Sequence, residues 1–228
     1  MTLKLTTLEP LRGQLIVSAQ AYPGEPMRDP RTMAQVAASA VMGGAAAIRV
    51  QGIADIQFTR SAVEVPLIGL WKDGHDGVFI TPTLRHALAC ANAGAHIVAI
   101  DGTRRERPDG LDLAQTIAGI HTKSNALVMA DCGSLDDAVA AAEAGADLIG
   151  TTLAGYTGER PKTEGPDLDL LAGIAAAGLA RPLIAEGRIH TPAQARQALD
   201  AGAFAVVVGT AITHPASITG WFKDALTA

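Results

Sequence analysis

Eight short runs of almost uninterrupted apolar residues punctuate this chain, and their number and spacing restrict its fold more than any other feature. They are Gln14 to Gln20 (QLIVSAQ), Ala46 to Val50 (AAIRV), Pro66 to Trp71 (PLIGLW) and His96 to Asp101 (HIVAID), then Ala126 to Asp131 (ALVMAD), Asp147 to Thr151 (DLIGT), Pro182 to Glu186 (PLIAE) and Ala203 to Gly209 (AFAVVVG). A strand with one face in water alternates apolar and polar side chains; runs without that alternation suit parallel strands covered on both faces. The stretches between them read as helices. TPTLRHALACANAGA and TPAQARQALDAGA each begin with Thr-Pro, matching an N-cap followed by Pro at the first helical position, and each finishes at Gly. SLDDAVAAAEAGA repeats the plan with Ser134 as cap and Gly145 as stop. Eight strands alternating with helices in 228 residues predict an α/β fold, the (β/α)8 TIM barrel, as a single domain over residues 1–228. An open doubly wound sheet is the alternative, but it normally carries a Gly-rich first turn where this chain has LIVSAQAYPGEP. The first dozen residues are expected to close the barrel bottom, and Pro215 to Thr227 to form the last helix.

Composition narrows the partners. The chain is 48% hydrophobic and 18% charged, with a formal charge of −5. Nucleic-acid and polybasic membrane surfaces need clustered positive potential, so neither is expected here, although a local basic pocket can still hold a small anion. Cys90 and Cys132 are the only cysteines and lack metal-ligand spacing. The N-terminal MTLKLTTLEP has no long apolar core of the signal-peptide kind, and no apolar run reaches the roughly 18 residues of a membrane span. The cytoplasm is the expected compartment, with no metal site.

In a barrel of this kind the active site lies at the C-terminal ends of the strands. Read in order, those positions hold Gln20, Arg49, Lys72, Asp101, Asp131, Thr151 with Thr152, Glu186, and Gly209 with Thr210. The opposite ends are mostly uncharged, His96 and Asp147 excepted. Gathering basic and acidic groups at one mouth costs free energy unless they are paired, so the asymmetry favours a site, even though any one of these charges taken singly can be a loop residue or a structural ion pair. Strands three and seven stand opposite one another in a closed eight-stranded barrel, which sets Lys72 and Glu186 across the mouth. Two titratable groups flanking a small ligand suit proton removal and delivery at a carbon acid, provided the lysine is tuned toward neutrality by burial or by Arg49. The loops after strands seven and eight, AEGRIHTP and VVGTAITHP, are where such barrels cradle phosphate. Gly187 and Gly209 allow close approach, and the N–H groups of Arg188 and Thr210 can point at an anion.

The segments LIVSAQAYPGEP, GAAAIRVQGIADI, VAIDGTRRERP, VMADCGSLDDA, GADLIGTTLAGYTG, IAEGRIHTP and VVVGTAITHPASIT together resemble the bacterial N-acetylmannosamine-6-phosphate 2-epimerases of sialic acid breakdown, from about residue 14 to 219. The resemblance implies interconversion of N-acetylmannosamine 6-phosphate and N-acetylglucosamine 6-phosphate without metal or organic cofactor. It also implies Lys72 and Glu186 as the catalytic pair, and Gln20, Arg49 and Asp131 in the sugar site. Gly187, Arg188, Gly209 and Thr210 fall to the phosphate cradle. His214 stands where the family usually has arginine, so it either takes over a phosphate contact or packs beside Pro215. The loop LWKDGHDGVFI is shorter than usual and lacks a tyrosine whose place His75 can fill or leave open. Asp101 precedes Gly102 where alanine is usual. The run Arg104, Arg105 and Arg107 reads as a solvated loop. A Schiff-base aldolase with Lys72 as nucleophile, or a sugar-phosphate binding protein without turnover, are the competing functions. Trp221 and Phe222 on the last helix suggest a buried contact, on the barrel or across a dimer, and a homo-oligomer is expected.

Overall fold

The computed structural model describes residues 8–227. Eight parallel strands close into a barrel in chain order: β1 (Leu15–Ala19), β2 (Ala47–Gln51), β3 (Leu67–Leu70), β4 (Ile97–Asp101), β5 (Leu127–Asp131), β6 (Leu148–Gly150), β7 (Leu183–Glu186) and β8 (Ala205–Val208). All but β2, which runs one residue further to Gln51, lie within the apolar runs read from the sequence. Helices follow the strands: α1 (Pro30–Met42), α2 (Ile53–Ala62), α3 (Leu84–Asn92), α4 (Leu113–Lys123), α5 (Leu135–Glu143), α6 (Leu168–Ala176), α7 (Pro192–Asp200), the short α8 (Thr210–Thr213) and α9 (Pro215–Thr227). The bottom-closing segment falls partly on residues 1–7, outside the described residues. Its described part is a 3-10 turn at Glu9–Leu11 that places Leu8 and Leu11 in the barrel interior with Ile16, Ala47 and Phe204.

The two-residue period of the strands sorts every run into two cores. Ile97 and Ala99 of β4 pack in the interior, whereas Val98 and Ile100 pack under the helices; β5 divides in the same way, Leu127 and Met129 against Val128 and Ala130. Carried one step further, the inward parity delivers Arg49, Lys72, Asp101, Asp131, Glu186 and Gly209 to the inner rim at the C-terminal end. The pattern that buries the strands therefore aims the charged residues.

Helix punctuation follows the sequence with one change. Ser134 caps α5, and Thr191 caps α7 in a capping box with Gln194, each cap worth about 1 kcal/mol. Gly94, Gly145 and Gly202 follow α3, α5 and α7 at positive φ, where a side chain is disfavoured. The change is in TPT: α3 is capped by Thr83 rather than by Thr81. Thr81 is buried at φ 47°; its hydroxyl accepts from Trp71 N–H at 3.1 Å and donates to the Ala99 carbonyl at 2.7 Å, tying β3 to β4.

Candidate active site

A buried ion layer forms the floor of the site. Arg49 on β2 donates through Nη2 to Asp131 Oδ2 at 2.6 Å and through Nη1 to Oδ1 at 3.1 Å, and Glu186 Oε2 lies 3.2 Å from Nη1. Arg49 and Asp131 are 1% and 0% exposed, so each depends on the other for its charge. Burial works against the Arg49 guanidinium, but Asp131 and Glu186 more than offset it and hold it firmly charged. Asp131 lies beneath Arg49 and does not border the cavity. Its influence on a ligand passes through Arg49 and through Thr152, whose hydroxyl donates to Asp131 Oδ1 at 2.6 Å.

The opposed pair stands above that floor. Burial pushes Glu186 up to about 7 against the pull of Arg49, with Asp131 adding to the rise. Burial and then Arg49 bring Lys72 down to about 8, while Glu186 and Asp131 act the other way. A half-buried acid and a half-buried amine are thus both brought near neutral pH, the condition for exchanging protons with carbon. Lys72 Nζ also sits 4.9 Å from the centre of the Tyr22 ring, a cation–π contact from the β1–α1 loop. The rim encloses a cavity of about 490 Å³ bordered by Gln20, Arg49, Lys72 and Glu186 on one side and by Gly187, Arg188, Gly209, Thr210 and His214 on the other. Gln20 donates to Ser18 Oγ at 2.8 Å, which leaves its own Oε1 buried with no partner among the described residues.

The loops after β7 and β8 offer backbone rather than charge. Gly187 has φ 115° and Arg188 φ 55°, a left-handed pair. The Arg188 guanidinium is occupied with the β6–α6 loop, donating to the Ala154 carbonyl at 2.8 Å, Thr163 Oγ1 at 2.9 Å and the Gly165 carbonyl at 3.2 Å. That grip accounts for a non-glycine residue at positive φ, and it commits three of the five guanidinium N–H groups to the loop. In α8, Ile212 and Thr213 N–H return to the Gly209 carbonyl, while the first N–H groups of the turn lack intrahelical acceptors. A Cβ on Gly209 would meet Ser18 Cβ at 3.3 Å, so a larger residue there would press on β1.

His214 is engaged on both ring nitrogens. Nε2 lies 2.6 Å from Glu25 Oε1, and Nδ1 lies 2.7 Å from Ser217 Oγ and accepts the Ser217 N–H at 3.2 Å. The histidine thus joins the β1–α1 loop to the start of α9 at the edge of the cavity. His75 borders the cavity but is 91% exposed and faces Asp76. The arginine run is not a solvated loop: Arg104 binds Asp137 and Glu159, Arg105 pairs with buried Asp101 at 2.7 Å, and Arg107 is buried against the Asp101 carbonyl. The reason is Asp101, which turns inward without reaching the cavity and needs local cations. Tyr22, Glu25 and Thr152 are site residues that strand-end reading left unassigned; Tyr22 and Glu25 belong to a loop whose path no periodicity reports. Among the described residues no group of three His, Cys, Asp or Glu side chains can hold a metal.

Comparison with known proteins follows the same outline. Residues 33–228 match the family model described as "Putative N-acetylmannosamine-6-phosphate epimerase". A "Putative N-acetylmannosamine-6-phosphate 2-epimerase" of Cutibacterium acnes is 62% identical over 217 residues, 95% of each chain. One of Klebsiella pneumoniae bearing the same description is 48% identical over 218 residues, 95% of this chain and 91% of the other. The solved N-acetylmannosamine-6-phosphate 2-epimerase from Clostridium perfringens superposes with a TM-score of 0.91 at 38% identity, covering 95% of both chains.

Proposed function

The chain belongs to the N-acetylmannosamine-6-phosphate epimerase family, and we propose that it epimerises C2 of N-acetylmannosamine 6-phosphate to N-acetylglucosamine 6-phosphate by removing and returning a proton. The observation that carries the reaction is the pair Lys72 and Glu186, set beyond β3 and at the end of β7, opposite strands of the barrel, on one cavity, with burial drawing both groups toward neutral pH. In the open-chain sugar the C1 aldehyde acidifies the C2 proton. Neutral Lys72 takes that proton, and the C–H electron pair moves into the C1–C2 bond to leave an enolate on the C1 oxygen. Protonated Glu186 then delivers its proton to C2 from the other face, and the electron pair returns to the carbonyl. Lys72 ends as an ammonium and Glu186 as a carboxylate, and exchange with solvent restores both before the next turnover.

In this reading the phosphate lies at the loops after β7 and β8, against the backbone of Gly187, Arg188, Gly209 and Thr210, with His214 at its edge. Gln20 and Arg49 meet the sugar and Asp131 supports Arg49 from below. No metal or organic cofactor enters. The setting is the cytoplasm and the breakdown of amino sugars such as sialic acid. A homo-oligomer, with the dimer as the simplest case, is supported by Trp221 and Phe222, which lie 40% and 72% exposed on α9. Among the described residues no helix is long and apolar enough to cross a membrane.

The test is proton NMR of N-acetylmannosamine 6-phosphate incubated with the protein in deuterated water. The gluco epimer should appear with deuterium at C2. A folded protein that yields neither epimer nor exchange overturns the proposal.

A further inference from the structure

Thr152 has one hydroxyl hydrogen and two carboxylic neighbours. Its Oγ1 lies 2.6 Å from Asp131 Oδ1 and 3.1 Å from Glu186 Oε2. Asp131 is fully buried and accepts from Arg49 with both oxygens, so it takes part only as an acceptor. A contact of 2.6 Å is that of a hydroxyl donating to a charged oxygen, and it uses the one hydrogen Thr152 has. The remaining valence at Oγ1 is a lone pair. Glu186 Oε2, which also faces Arg49 Nη1 at 3.2 Å, can bond to that lone pair only by donating, which requires a proton on Oε2. The neighbouring residue deals with the backbone: Thr151 Oγ1 donates to the Glu186 carbonyl at 3.0 Å and accepts the Glu186 N–H at 3.1 Å. Consecutive threonines at the end of β6 thus hold Glu186 twice, one by its main chain and one by its acid group.

We propose that Thr152 is a positioning residue that keeps Glu186 in its proton-bearing form, with its own hydrogen committed to Asp131. The proposal rests on the reading of Glu186 as the proton donor to C2, and it deepens that reading by naming what selects the acid form.

The direction of a titration shift tests this. Glu186 also faces Arg49 on β2, Lys72 beyond β3, Asp131 on β5 and Tyr22 in the β1–α1 loop. All four remain in a Thr152 variant, so a change on substitution belongs to the hydroxyl. The ligand-free protein, carboxyl-labelled with 13C at glutamate, is titrated by NMR, with the Glu186 signal assigned by its loss in Glu186→Gln. In Thr152→Val the acid form loses its acceptor, and the midpoint should fall, by up to about one pH unit for one neutral hydrogen bond. Thr152→Ser restores the hydroxyl and should restore the midpoint. A rise in Thr152→Val means that the hydroxyl donates to ionised Glu186, and no change means that it only packs; either overturns the proposal. If the valine variant fails to fold, Thr152→Ala applies the same test of sign. In the wild type, the infrared carbonyl stretch of protonated Glu186 should be that of a donating acid, and a free acid's stretch overturns the proposal without any Thr152 variant. Because none of these measurements uses substrate, a failed titration and a failed C2 exchange condemn different statements.

Discussion

The two ends of the barrel both hold buried polar groups, but only one leaves any of them unfinished. At the bottom, Asp147 Oδ2 lies 2.7 Å from His121 Nε2 and 2.8 Å from Val128 N–H, and His96 Nδ1 accepts the Leu67 N–H at 3.0 Å. These groups are satisfied by backbone and by each other, and they stitch strand starts together. At the top, Asp131 is just as closed by Arg49 and Thr152, and so is Asp101 by Arg105 and Thr103, while Arg49 itself borders the cavity and keeps a buried Nε without a partner among the described residues. Lys72 and Glu186 differ: they border an open cavity and lie away from the acidities of their free side chains. Charge at a strand end is therefore not the mark of the site. The mark is bonding capacity left over once the structural pairs have formed.

The largest break in that comparison comes from removing the unfinished group itself. Lys72→Ala should lower the rate of C2 proton exchange by about 10²–10⁴, the usual contribution of a positioned base, while circular dichroism shows the barrel unchanged. Lys72→Arg should not rescue it, because a guanidinium does not deprotonate near neutral pH. Exchange at the wild-type rate in the alanine variant removes Lys72 from the mechanism.

Breaking the closed pair should have the opposite profile, a loss of stability first. Arg49→Met leaves Asp131 buried without its cation, and urea unfolding should show a loss of about 3–5 kcal/mol. Adding Asp131→Asn should recover part of it by removing the stranded charge. Because Arg49 also lowers the pKa of the Lys72 ammonium, the doubly substituted protein should remain slow even where it is stable. Recovery of activity along with stability would show that the floor only holds the barrel together.

The sequence made the barrel legible because strand runs with no alternation, three AGA helix ends and the Ser134 and Thr191 caps all report local physics. It placed the rim residues as well, since parity along a strand survives folding unchanged. What it could not report was how partners are shared. Asp101 and Asp131 both end strands facing inward, and only the folded neighbourhood decides that Arg105, in the loop after β4, closes the first and Arg49, on β2, the second. The strand-end pattern assigns the Arg188 backbone to a ligand but says nothing of its guanidinium, which grips the β6–α6 loop. Thr81 reads as a cap until Thr83, two residues on, takes the role. Each of these outcomes is set by residues distant in the chain or by a choice between two adequate local candidates.

The smallest expected effect sharpens the comparison from the closed end. Hydrogen bonding to Asp147 raises the pKa of His121 above its ordinary 6.5, with burial opposing. A histidine whose pKa is raised on folding contributes stability that is complete below the unfolded value and is lost as pH rises through the folded one. His121→Ala should therefore cost more at about pH 5 than at about pH 9. The side chain is 37% exposed, so solvent screening keeps the charge-dependent difference within about 1 kcal/mol. The rate of C2 exchange should not respond at all, measured at a pH where both proteins are folded. A change in that rate would mean that the two ends communicate through the barrel, and that pairing at the bottom helps to set the acidities at the top.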